Sequence, residues 1–277
     1  MIELENLWVR YPNQNSYTLR DINLEIRRRG LYLVVGKTGC GKTTLARTIV
    51  GIIPHIFYAD VVGRVNVLGK DPLTNGPEAL VGKVAYVAQN PELFVTSISV
   101  EEELFLPLIN MGLEPEDMVK RVKSVVEALR LEDLFDSSTL TLSSGQLQLV
   151  ALATAIATGA EILILDEPLS RLDPDNYIRF IKMLETISDK RTVLVFEHHL
   201  DYIVGLTDEI IVMDGGSIVA RGDLDDVAEF LIDINIPDFL EYAIILRRMG
   251  CLDHIPRTLD EFIAMIKNAA EHKECMV

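Results

Sequence analysis

Residues 36–43 read Gly-Lys-Thr-Gly-Cys-Gly-Lys-Thr. This run fits the phosphate-loop pattern G-x-x-x-x-G-K-[ST] at every fixed position. Gly39 and Gly41 permit tight turns that aim successive backbone N–H groups at a phosphate chain. Lys42 can reach the β and γ phosphates, and the Thr43 hydroxyl can join the coordination of Mg²⁺. A helix beginning at Lys42 or Thr43 adds the partial positive charge of its N-terminus. The competing reading is a glycine turn that happens to carry Lys-Thr. The wholly apolar run 31–35 before the loop and the helical pattern to about residue 50 after it favour the phosphate loop. Cys40 fills a variable position, where its thiol is incidental, although alkylation there would block the loop.

A second feature is Ile162-Leu163-Ile164-Leu165-Asp166-Glu167, an apolar strand that ends in two carboxylates. Parallel sheets bind ligands at the carboxyl ends of their strands. One carboxylate can hold the Mg²⁺ shell while the next polarises an attacking water. Such pairs also cap strands in solvent, and the nearby phosphate loop decides for chemistry.

These groups need a scaffold. Residues 2–10 and 22–26 alternate apolar and polar side chains and read as strands. Further strands are expected at 31–35, 64–68, 83–87, 162–165, 192–196 and 209–213. Residues 100–131 are rich in Glu, Leu and Val at helical spacing, interrupted by Pro107 and Pro115, and read as a two-helix insertion. Residues 147–160 read as a buried helix, and residues 175–187 as a helix entered through Asp173 or Pro174. Alternating strands and helices predict an α/β fold with a mostly parallel sheet covered by helices. After Gly222 three helical patterns follow, at 224–232, 239–249 and 259–266. They divide the chain into a domain over 1–222, with a helical subdomain at about 91–158, and a helical domain over 223–277.

With these motifs in place, residues 1 to about 222 resemble the ABC (ATP-binding cassette) ATPases. That resemblance rests on further matches in the family's order. Tyr11 matches the aromatic that stacks on adenine. Gln89, in Val-Ala-Gln-Asn-Pro, matches the glutamine of the Q-loop. Leu142-Ser143-Ser144-Gly145-Gln146 matches the signature usually written LSGGQ. Ser170-Arg171-Leu172-Asp173 matches the D-loop, and His198 the switch histidine.

The resemblance implies a P-loop cassette with an N-terminal antiparallel β region and a helical insertion. It implies ATP bound by Tyr11, by Gly36, Lys37, Thr38, Gly39, Cys40, Gly41, Lys42, Thr43 and Thr44, and by Ser143, Ser144, Gly145, Gln146 and Asp173. Thr43, Gln89 and Asp166 would hold Mg²⁺, and Glu167, His198 and Gln89 would act in hydrolysis. The signature precedes a helix, so its amides and hydroxyls can receive a γ-phosphate. In the family it faces the phosphate loop of a second ATPase subunit, in a homodimer or heterodimer.

Four positions depart from the common pattern. Ser144 replaces a glycine, which would strain the backbone if φ were positive there. Leu149 stands where Arg is common, which puts a polar tether of the signature helix in doubt. Arg171 replaces a frequent small residue. His199 follows the switch histidine where Asp is common, so His198 takes that role.

Gln89-Asn90-Pro91-Glu92-Leu93-Phe94, Ser99-Val100-Glu101-Glu102-Glu103 and the helical tail are similar to the ATPases of energy-coupling factor importers. These take up vitamins or transition-metal ions, and their tail helps pair the two ATPases. The implied place is the cytoplasmic face of the membrane, beside integral membrane transporter subunits. Apolar residues among the acids of 90–103 suit a groove that receives a partner's helix. The alternative is a soluble ABC protein acting on a macromolecular assembly. A formal net charge of −16 over 277 residues, together with a single cassette and no heptad insert, argues against that class and against nucleic-acid binding. The N-terminus lacks a signal-peptide core, and no apolar run reaches the ~18 residues needed to span a bilayer. Cys40, Cys251 and Cys275, odd in number and widely spaced, predict reduced thiols.

Overall fold

The computed structural model describes residues 1–198, 200, 203–232, 234 and 236–271. The first half contains β1 (Ile2–Arg10), β2 (Leu19–Ile26), β3 (Gly30–Val35), α1 (Lys42–Ile49), α2 (Ile52–His55), β4 (Asp60–Val67), α3 (Pro72–Asn75) and β5 (Val84–Val87). The insertion then supplies α4 (Val100–Asn110), α5 (Pro115–Leu129) and α6 (Ser144–Ala157). Next come β6 (Ile162–Asp166), α7 (Pro174–Ser188), β7 (Thr192–Glu197), β8 (Glu209–Asp214) and β9 (Ser217–Gly222). The chain continues into α8 (Leu224–Leu231), α9 (Asp238–Arg248) and α10 (Leu259–Glu271).

The strands form two sheets. An antiparallel sheet has the order β2-β1-β4, and a larger sheet the order β5-β6-β7-β3-β8-β9. In the larger sheet the first five strands run parallel and β9 returns antiparallel on β8. A strand buried on both faces has no polar side, as the run 31–35 foretold. Its alternation sorts residues into two cores. Leu31, Leu33 and Val35 join Leu163, Leu165, Val193 and Val195 under the helical side of the molecule. Tyr32 and Val34 join Ile164, Leu194 and Phe196 against α1 and the antiparallel sheet. The helical core also takes Val227 of α8 and Leu240 and Ile244 of α9, so these tail helices pack on the same core as the sheet.

Local chemistry explains the boundaries. Pro115 opens α5, where its missing N–H costs nothing. Pro107 lies inside α4 rather than ending it. The helix expected at 147 starts at Ser144, because Ser143 and Gln146 form a reciprocal capping box. Strand β9 was not foreseen: its side chains are partly exposed and its residues mostly polar or small.

One expectation fails. Cys40 carries a free, buried thiol, but Cys251 is disulfide-bonded. Separation in sequence does not measure separation in space, so wide spacing did not exclude a bridge. Cys275 and His199 lie outside the described residues. Among the described residues no helix is long and apolar enough to cross a membrane.

Candidate nucleotide site

The turn between β3 and α1 is built by its glycines. Gly39 and Gly41 have φ of 84° and 106°, a left-handed region that disfavours other residues. A Cβ on Gly36 would stand 2.3 Å from the carbonyl oxygen of Met213. The loop therefore seats directly on the end of β8. Lys42 is buried, and its Nζ donates to the carbonyls of Gly36 at 2.6 Å and Lys37 at 3.3 Å. Lys37, Thr38 and Gly39 are exposed, and Cys40 and Thr44 are buried. Burial pushes the Cys40 thiol up from its ordinary value, which makes it a poor nucleophile. Tyr11 lies beside this loop, its hydroxyl 3.2 Å from Thr44 Oγ1.

Two carboxylates close the site from β6. The Thr43 hydroxyl donates to Asp166 Oδ1 at 3.1 Å, and the Tyr86 hydroxyl donates to Oδ2 at 3.2 Å. Burial raises the Asp166 carboxyl above its usual range, against the lowering effect of those two hydrogen bonds. The next residue, Glu167, has φ of 48°, a left-handed conformation that costs a non-glycine residue about 1–3 kcal/mol. Its N–H donates to the Phe196 carbonyl at 2.8 Å, and the Ser170 hydroxyl donates to its carbonyl at 3.0 Å. The resulting bend presents its carboxylate to Gln89, whose Nε2 donates to Oε2. His198 Nδ1 lies 3.5 Å from the other oxygen.

Glu197 supports this arrangement from beneath. It is fully buried and accepts the N–H of Leu169 at 3.0 Å and that of His198 at 3.3 Å. Burial pushes its carboxyl up to about 8. Sequence reasoning assigned no role to Tyr86 or Glu197. The available signals were a phenol in the otherwise apolar β5 and a carboxylate ending the apolar β7, the same pattern that exposed Asp166.

The remaining residues gather elsewhere. Ser143 Oγ accepts the Gln146 N–H at 3.3 Å, while Gln146 Oε1 accepts the Ser143 N–H at 2.9 Å. Ser144 is the first residue of α6 and does not have positive φ, so the anticipated strain is absent. A Cβ on Gly145 would meet the Arg171 carbonyl oxygen at 2.7 Å, so this glycine lets the signature touch the D-loop. Leu149 is buried in the helical core. Asp173 caps α7, accepting the Asn176 N–H at 3.0 Å, and that hydrogen bond lowers its carboxyl below the usual range. Among the described residues no hydrogen bond joins residues 143–146 to residues 36–44. The chain thus assembles the phosphate loop, Asp166, Glu167, Gln89 and His198 into one site, to which the signature makes no hydrogen bond among the described residues.

A parallel sheet with a phosphate loop after one strand and paired carboxylates after another defines a P-loop nucleotide hydrolase. Comparison narrows this class. The family model described as ABC transporter matches residues 19–170. A protein of Pyrococcus horikoshii, provisionally named an ABC transporter ATP-binding protein, is 34% identical, with 96% of each chain covered. A counterpart in Pyrococcus abyssi is 32% identical over 96% of this chain and 98% of its own. Among solved structures, CbiO1 of Clostridium perfringens, described as part of the ABC transporter complex CbiONQ, aligns with a TM-score of 0.71. It is 26% identical and covers 90% of this chain and 96% of its own. A dimeric ATP-binding cassette with ADP and phosphate bound also gives 0.71, at 24% identity over 81% of this chain and 99% of its own. The chain belongs to the ATP-binding proteins of the ABC transporter family and is an ATP-hydrolysing cassette.

Proposed function

We propose that Glu167 is the general base for ATP hydrolysis. One observation carries this: its carboxylate sits between the Gln89 amide and the His198 ring, one residue beyond the Asp166–Thr43 pair. Glu167 takes a proton from the attacking water, and Gln89 fixes the direction of its lone pairs. His198 faces the γ-phosphate and stabilises charge that develops there. Lys42 exchanges its two loop carbonyls for phosphate oxygens when ATP binds, and Tyr11 flanks the base. The oxygen donors of Thr43, Asp166 and Gln89 are a hard set that fits Mg²⁺. When bound, that ion supplies charge neutralisation on the phosphates.

The test is Glu167→Gln, which keeps the shape and removes the base. The variant binds ATP with near-native affinity and accumulates as an ATP-bound dimer. Its turnover falls by roughly 100-fold or more, the usual contribution of a positioned base. Retention of most of the turnover assigns the base elsewhere.

The signature residues 143–146 stand outside the phosphate loop of their own chain. This supports a head-to-tail pair of cassettes in which each signature covers the partner's ATP. We assign the pair to a membrane importer of energy-coupling factor type for a vitamin or transition-metal ion, at the cytoplasmic face. Likeness to CbiO1 over 90% of this chain supports that assignment. The domain of residues 223–277 serves pairing. Exposed Phe94, Ile98 and Ile109, set among acids, form the surface for the membrane subunit. Co-purification from native membranes identifies that subunit. Recovery of this chain without any integral membrane protein rejects the importer.

A further inference from the structure

The protein carries 42 acidic residues against 26 Lys and Arg, yet one cleft inverts that balance. A cavity of about 920 Å³ opens between α5, the end of α6 and α7. Six cations line it: Lys120, Arg121, Arg130, Arg179, Lys182 and Arg191. Asp117 is the one acid among its lining residues. None of those residues belongs to the nucleotide site.

Two of the cations have structural work. Arg121 donates to the Thr158 carbonyl at 2.6 Å and Arg191 to the Ile156 carbonyl at 3.1 Å. Both satisfy the carbonyl end of α6, where positive charge is favoured. A Cβ on Gly159 would stand 2.5 Å from Arg121 Nη1, so this glycine makes room for the guanidinium. The other four are not explained in this way. Among the described residues the Arg179 side chain donates only to Asn176 within its own helix, at 3.3 Å. The side chains of Lys120, Arg130 and Lys182 make no hydrogen bond or ion pair among the described residues. Lys120 lies on the α5 side, while Arg179 and Lys182, three residues apart on α7, share a face across the cleft from it. Burial, and secondarily the neighbouring Arg121, lower the Arg191 guanidinium from its ordinary value.

We propose that this cleft binds a soluble phosphate-chain anion, of the inorganic or nucleoside polyphosphate class, between α5 and α7. The cations Lys120, Arg130, Arg179 and Lys182 match the charge of a triphosphate, and arginine forks match its oxygens in pairs. Facing walls suit a free molecule better than a flat headgroup layer. The volume lies within the range of small-molecule sites. Such an anion ties the helical insertion to α7, and it would stabilise the fold by binding only the native state.

The experiment uses the full chain carrying Lys42→Ala, which removes the phosphate-loop lysine. Inorganic tripolyphosphate is titrated calorimetrically, and the result is compared with the same chain carrying Arg179→Gln and Lys182→Gln as well. Because the comparison reads the difference between these two chains, it holds whatever Lys42 does. The expected result is one site on the first chain, at least tenfold weaker on the second, with affinity falling as salt rises. Melting temperature rises with tripolyphosphate in the first chain and stays fixed in the second. Equal affinity in both chains overturns the site, as does the absence of binding to the first. Sedimentation with phosphatidylglycerol vesicles, without tripolyphosphate binding, overturns the soluble ligand in favour of a lipid headgroup.

Discussion

Arg171 and Glu92 form an ion pair at 3.2 Å, and the same guanidinium donates to Asn90. The pair ties the D-loop to the segment that follows Gln89. Glu167 is therefore held twice, through the Gln89 amide and through this link between the two flanking loops. A Cβ on Gly145 would meet the Arg171 carbonyl oxygen, so this one D-loop residue touches two other motifs.

Breaking this link acts on rate more than on stability. Glu92 is exposed and Arg171 partly so, and ion pairs near the surface contribute about 0–1 kcal/mol. Arg171→Ala leaves the melting temperature nearly unchanged and lowers turnover roughly fivefold, about 1 kcal/mol on the barrier. Arg171→Lys does not restore it, because an ammonium lacks the fork that reaches both Glu92 and Asn90. Steady-state ATPase assays check both outcomes. Native turnover in Arg171→Ala rejects the coupling.

Glu197 predicts a pH dependence. Its carboxyl is raised in the folded chain to about 8 from an ordinary value of 4.5. The folded state therefore binds more protons than the unfolded state between those values, and stability falls as pH rises. This contribution is fully present below the unfolded value and lost as pH climbs through about 8. Glu197→Gln removes the ionisation while keeping a carbonyl acceptor for a backbone N–H. Denaturant melts at several pH values should show a flatter profile for the variant. Parallel wild-type and variant profiles count against a neutral, buried Glu197.

Phe94 offers a test of partner docking. Its ring meets Tyr86 edge-on at 5.9 Å and is 42% exposed. It lines an apolar groove of about 360 Å³ with Pro91, Val95, Pro107 and Met111. Phe94→Ser should release the membrane partner in pull-downs while ATP binding stays near native. Its melting temperature should change little, because a half-exposed ring loses little burial. A variant that melts well below the native chain makes Phe94 a packing residue. The side chain of Leu93, the other anchor expected there, lies outside the described ones.

The loop and the paired carboxylates of this site were legible because their chemistry is local in sequence. The loop 36–43 and the carboxylates 166–167 each declare themselves within one strand–turn unit, and the apolar runs before them fix their strands. What stayed hidden depends on contacts between distant segments. Arg171 looked like a departure from a small-residue position, and only folding shows its partners some 80 positions earlier. Glu197 lies just past the strand expected at 192–196, and only folding shows its burial and its two backbone donors. The doubt over Ser144 came from treating it as a loop residue, whereas the capping box draws it into helix α6. Leu149 likewise reads as a missing polar tether in sequence and as core packing in space.

The left-handed backbone at Glu167 has an evolutionary consequence. Asn or Gly tolerates that conformation at lower cost than Glu. A lineage selected for thermal endurance alone would drift away from glutamate here. On the proposed role of Glu167 as the base, turnover requires glutamate here, and the deficit is recovered elsewhere in the fold. Its φ of 48° is then a standing cost in stability kept for hydrolysis, and Asn or Gly at this position would relax the backbone while giving up the base.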